Sequence, residues 1–213
     1  MKIKINLFVN RAIQILLLFL FVINFSFGLY VPLMAVFITN FISGATLTTI
    51  GLAMAFYAIA KSVVQIPMSR KLDKHPGEKD DFFALITGGT IAVIYPFILF
   101  FISASWHLYL LEILIGIGDG ALMAAYYAVF SRHTDKGSEG FEWSLFSVGG
   151  LTISAALAGA IGGILADTFG IKPLFIISGI LNIVAVAVIF SLYPYLDGTR
   201  KRISFPPNIP PLK

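Results

Sequence analysis

The chain has 213 residues, is 58% hydrophobic and only 12% charged, and has a mean hydropathy of +0.90, which excludes a soluble domain because no such domain hides that much apolar surface. It has no cysteine, and its three histidines, His75, His107 and His133, show no ligand spacing such as HExxH, so disulfides, thiolate chemistry, metal sites and cofactors are not expected. The net charge of +4 does not point to nucleic acid, because the basic residues fall between apolar runs, where they orient a membrane protein.

Charge-free runs cover 12–60, 82–111, 143–166 and 173–196. A bilayer-crossing helix needs about 20 apolar residues. Dividing the runs at Gly, Asn, Ser and Pro clusters gives six spans near 12–38, 45–68, 82–104, 107–130, 143–165 and 173–195. The expected fold is an all-α polytopic membrane protein: a transmembrane domain over 1–196 and a basic, proline-rich tail over 197–213.

The first span follows Lys2, Lys4 and Arg11, as a signal peptide would, but its apolar run continues past Pro32 and far exceeds the roughly 7–15 residues of a signal core. It is read as a retained span. Asn24 sits at its middle with Gly28 and Pro32 on the same side, as a cavity ligand or a helix-to-helix hydrogen bond. The second span carries Lys61, flanked at i−4 and i+4 by Tyr57 and Gln65.

The fourth span carries Glu112 and, at mid-depth within GIGDGA, Asp119. Seven residues separate these acids, about two turns on nearly one face. Gly116, Gly120 and Ala124 repeat every four residues beside them, a small-residue surface for close helix packing. Charges at bilayer depth cost at least about 2.5–3.5 kcal/mol each and so face the bundle interior or a watery cavity. Lys61 therefore pairs with Asp119, as structure or as a substrate or proton site, or else snorkels toward the cytoplasm.

Basic residues gather before the first span, at Arg70, Lys71, Lys74 and Lys79, at Arg132 and Lys136, and in the tail; the intervening loops carry only Lys172. The positive-inside rule then puts both termini in the cytoplasm, with the plasma membrane as the expected location. An internal echo joins the ends of the second and fifth spans: Ser69, Asp73 and Pro76 have the spacing of Gly163, Asp167 and Gly170. Two three-helix repeats in opposite orientation would produce it.

These features resemble the amino-terminal half of a major facilitator superfamily transporter over about residues 10–195. Gln65, Pro67, Asp73 and Lys74 fit that family's motif between helices two and three, with Ser69 and Pro76 in place of its glycines and GEKDD in place of its basic cluster. Gly116 and Gly118 fit the helix-four pattern, with Glu112 where the family often has arginine. AGAIGG at 158–163 lacks the proline of the antiporter pattern.

The resemblance implies a membrane transporter rather than an enzyme, moving a small-molecule substrate by alternating access. Asn24, Lys61, Gln65, Glu112 and Asp119 would lie along the substrate or ion pathway, and Asp73 and Lys74 in a cytoplasmic gating loop. Because the family has twelve helices in two halves, the expected partners besides lipid are a second copy or a separate second half. The alternative is a truncated or non-transporting protein with an assembly or regulatory role. Gly-x-Gly-Asp also occurs in intramembrane aspartyl proteases, but that chemistry needs a second carboxylate at the same depth on another helix, and Asp73 and Asp167 fall at opposite membrane faces.

Overall fold

An apolar segment can enter a bilayer only if it closes its own backbone hydrogen bonds, which a helix does. In the computed structural model, which describes residues 9–75 and 77–196, the helices are α1 Arg11–Gly28, α2 Met34–Phe41, α3 Leu47–Lys74, α4 Lys79–Leu99, α5 Ser105–His133, α6 Glu139–Ser144, α7 Ser154–Phe169 and α8 Lys172–Phe190. Among the described residues there is no strand, only a single bridge between Ser43 and Ala104. Lys2, Lys4, Pro76 and the tail from Asp197 onward lie outside the described residues.

Among the described residues, six helical segments are long and apolar enough to cross a membrane: Arg11–Phe41, Leu47–Lys74, Lys79–Leu99, Ser105–His133, Glu139–Phe169 and Lys172–Tyr195. Two of them are not the continuous α-helices that hydropathy alone suggests. The first breaks between α1 and α2, where Pro32 opens a 3-10 turn over Val31–Leu33; proline has no N–H to give and its ring crowds the preceding turn. The fifth passes from α6 through a π-helical stretch, Leu145–Ile153, before α7 begins. There the Thr152 hydroxyl donates to the carbonyl five residues back, on Ser147 (3.1 Å), and Ser154 donates to Gly150 (2.5 Å).

The packing order of the spans is second, fourth, third, sixth, first, fifth. Exchanging the first three spans for the last three maps this order onto itself read backwards, as two three-helix repeats related by a two-fold axis require. The two outermost contacts also match in kind. In one, Gly28 of the first span meets Ala158 of the fifth, so close that an added Cβ would lie 2.7 Å from it; in the other, Gly116 and Gly120 of the fourth meet the second span's backbone. Small residues give such closeness where no hydrophobic force drives helices together in lipid.

Asn10 ties the first span to the end of the fourth. Its Oδ1 accepts from the Ile13 N–H (3.0 Å), capping α1, while its Nδ2 donates to the His133 carbonyl (2.6 Å). The end of the bundle holding Asn10, Glu78 and His133 is called the terminal end below, and the end holding Ser43 and Ala104 the far end.

Candidate functional site

A cavity of about 350 Å³ opens among the first five spans, and Lys61 and Asp119 are the only charged residues lining it among the described residues. The Lys61 ammonium lies 2.7 Å from Asp119 Oδ2. The Tyr57 hydroxyl donates to the same oxygen at 2.5 Å and lies 3.4 Å from the Lys61 Nζ. Tyr57 and Lys61 are one turn apart on α3, so a single helix face delivers both donors. With their side chains 30% and 25% exposed, the paired charges are open to whatever fills the cavity.

The glycines of GIGDGA explain how Asp119 comes within reach. A Cβ on Gly116 would sit 2.5 Å from the Tyr57 carbonyl oxygen, and one on Gly120 2.8 Å from that of Lys61, whereas one on Gly118 would sit 2.8 Å from Ile91 on α4. Two glycines thus press α5 onto α3 and one presses it onto α4, with Asp119 at the seam.

The other expected pathway residues separate. Asn24 lines the cavity, but its Nδ2 donates to the Leu20 carbonyl of its own helix (3.0 Å), so the helix-to-helix bond considered for it does not form. Glu112 does not line the cavity; it accepts from the Tyr95 hydroxyl of α4 at 2.7 Å. The two acids of α5 therefore face different neighbours despite their near-common stripe. Gln65 is half-buried beside Gly120 and outside the cavity lining, and Asp73 and Lys74 are exposed near the end of α3.

Sequence reasoning missed a second charged cluster, at the terminal end. Arg132 pairs with Glu78 through Nε (2.6 Å) and with Asp81, and His133 Nε2 lies 3.0 Å from the other Glu78 oxygen. Burial acts to raise the Glu78 carboxyl, but hydrogen bonds and charge from His133 and Arg132 outweigh it and hold the group at about 2. The signal was present in GEKDD, whose Glu78 and Asp81 answer the Arg132–His133 pair, but nothing in linear order connects two segments more than 50 residues apart. Interhelical polar contacts were missed for the same reason: the hydroxyls of Ser26 and Ser178 lie 2.6 Å apart, and Asn182 donates to the Ala92 carbonyl at 2.7 Å.

Comparison with known proteins gives this architecture a family. The chain is 28% identical over 161 residues to an uncharacterized MFS-type transporter from Methanocaldococcus jannaschii, an alignment covering 76% of this chain and 40% of that relative. The chain thus spans well under two thirds of the length of the curated relative it matches. The family model described as Major Facilitator Superfamily matches residues 16–210. With six membrane-spanning helices in an order consistent with inverted repeats, and a family match over nearly its whole length, the chain belongs to the Major Facilitator Superfamily.

Proposed function

We propose that these six helices form one half of a transporter that moves a small solute by alternating access, working with a second copy of the chain or with a separate second half. The observation that carries this reading is the cavity with its partly exposed Lys61–Asp119 pair, either charge of which a substrate in the cavity could compete for. The second and fifth spans support it. They lie at the two ends of the packing order, and both line the cavity, through Lys61 and Phe146 respectively. They bury only 11% and 22% of their most apolar stretches, against 39–56% for the other four spans. A second six-helix unit set against these faces would cover Met54, Val63, Ile66 and Ile164, all more than 60% exposed, and would close the cavity. Rocking of one unit against the other would then expose the site to each side in turn.

By the positive-inside rule, the terminal end faces the cytoplasm, and the plasma membrane is the proposed location. The test is reconstitution into vesicles with cross-linking. Wild-type protein is expected to be captured as a pair of six-helix units and to take up solute, and Asp119→Asn to insert normally while losing most of its uptake. Capture only as single six-helix units with transport intact would sink the paired arrangement. Partner binding without flux would favour an assembly or regulatory role instead.

A further inference from the structure

The contacts of the Lys61–Asp119 pair all converge on a single carboxylate oxygen. The Lys61 Nζ and the Tyr57 hydroxyl approach Asp119 Oδ2 at 2.7 Å and 2.5 Å. An ionised carboxylate offers two oxygens, and an ammonium offers three hydrogens. Asp119 Oδ1 has no hydrogen-bond partner among the described residues, and Lys61 Nζ has only Asp119 and Tyr57. One acceptor of the acid and one donor of the base are therefore left over, side by side, on partly exposed side chains that line the cavity. Asn24 lines it too, and because its Nδ2 is engaged by the Leu20 carbonyl, its own carbonyl oxygen is left as a further acceptor.

The rest of the lining narrows what such a site can take. Besides the pair, the polar side chains lining the cavity among the described residues are Asn24, Tyr57 and Tyr127; the others are apolar, such as Phe27, Ile115 and Phe146. A polyhydroxyl solute would press hydroxyls against that apolar wall, where a lost hydrogen bond is costly. A solute of one charge fits poorly for a different reason. The two cavity charges cancel, so an anion on Lys61 or a cation on Asp119 adds an uncompensated charge at bilayer depth. A zwitterion adds none. Its anionic end takes the spare Lys61 hydrogen, its ammonium donates to Asp119 Oδ1, and the four charges alternate in sign. Because Lys61 Nζ and Asp119 Oδ2 are 2.7 Å apart, the two ends must also be close together in the solute, as an amino and a carboxyl group on one carbon are.

We propose that the solute class of this cavity is the apolar α-amino acid: a compact zwitterionic head held by Lys61 and Asp119, with an apolar side chain against Phe27, Ile115 and Phe146. That such a solute is carried across the membrane as well as bound rests on the transport reading above. Tyr57 keeps its hydrogen bond to Asp119 Oδ2 throughout and steadies the acid while the ligand takes the other oxygen.

Scintillation proximity on the full chain reconstituted in lipid reads bound tritiated leucine, methionine and phenylalanine without requiring flux. At about pH 6 an α-amino group is charged and a carboxyl group is ionised. Saturable binding of at least one of the three is expected. Its amide, which lacks the carboxylate, and its deaminated acid, which lacks the ammonium, should each compete at least about tenfold more weakly, the full cost of an uncompensated charge at that depth being about a hundredfold in affinity. Serine, with a polar side chain, and ε-aminocaproate, with its charges far apart, should also compete weakly. Asp119→Asn leaves Lys61 as the one cavity charge and should reverse the order in favour of the deaminated acid; Lys61→Met should reverse it in favour of the amide. A pair that only holds helices together predicts neither reversal, and the wild-type competition series keeps the test open if either variant fails to fold.

No saturable binding of any of the three, equal competition by the singly charged analogues or by serine, or folded variants that keep the wild-type order overturns the proposal. Uptake of some other solute by a protein that binds none of these amino acids overturns it and leaves the transport reading standing. Binding with the expected selectivity in a protein that moves no amino acid removes the transport reading and leaves the site assigned.

Discussion

The two charged clusters of this protein use similar residues to opposite ends. At the terminal end, Glu78 and Asp81 are 3% and 0% exposed, and Arg132 and His133 grip them through several hydrogen bonds. At mid-membrane, Lys61 and Asp119 are 30% and 25% exposed, and both donors, Lys61 and Tyr57, converge on one carboxylate oxygen. An enclosed network with many partners holds helices in place; a pair sharing one oxygen at a cavity wall has room to exchange partners. The difference lies in enclosure rather than in charge.

Two substitutions test that contrast. Arg132→Met, which leaves Glu78 and Asp81 buried without their guanidinium, is expected to destabilise the protein by about 3–5 kcal/mol. Lys61→Met, whose partner keeps the Tyr57 hydrogen bond and access to the cavity, should cost less than half as much in the same detergent unfolding titration. Equal losses would erase the distinction between clasp and pair.

Glu78→Gln sharpens it through pH. A carboxyl held at about 2 when folded, against about 4.3 when unfolded, contributes stability that is complete above the unfolded value and is lost as pH falls through about 2. The wild type is expected to exceed Glu78→Gln by about 2–3 kcal/mol at neutral pH, with the gap closing only in strong acid. A gap that instead persists to about pH 2 would assign the effect to packing.

The smallest effect is expected at the seam itself. Gly120→Ala places a Cβ 2.8 Å from the Lys61 carbonyl oxygen and should cost about 1–2 kcal/mol as overpacking. Solute uptake should fall further than that loss of stability explains, because the separation of α5 from α3 sets the Lys61–Asp119 distance. Unchanged uptake in a protein of reduced stability would show that the pair tolerates a looser seam.

Much of this was legible in linear order. Asp119 and Lys61 stood out because charge inside an apolar run is costly, and the glycines around Asp119 marked a close helix contact before any partner helix was known. Neither the break at Pro32, inside the single span expected over 12–38, nor the π-helical stretch at 145–153 was read from linear order, since hydropathy is blind to how a helix is wound. Glu112 and Asp119 show the same limit: their spacing places them on nearly one face, yet Tyr95 from α4 holds one while Tyr57 and Lys61 from α3 hold the other.

By itself the sequence determined six apolar spans and the charges buried within them, because the cost of placing a residue in a bilayer is local and sums along the chain. The tertiary structure alone decided which helix meets which, and with that the Lys61–Tyr57–Asp119 geometry, the Arg132 clasp and the Asn182–Ala92 hydrogen bond. Those depend on contacts between residues 50 to 150 positions apart, and in lipid such contacts are selected by the fit of small residues and hydrogen bonds across helices, which no single segment contains.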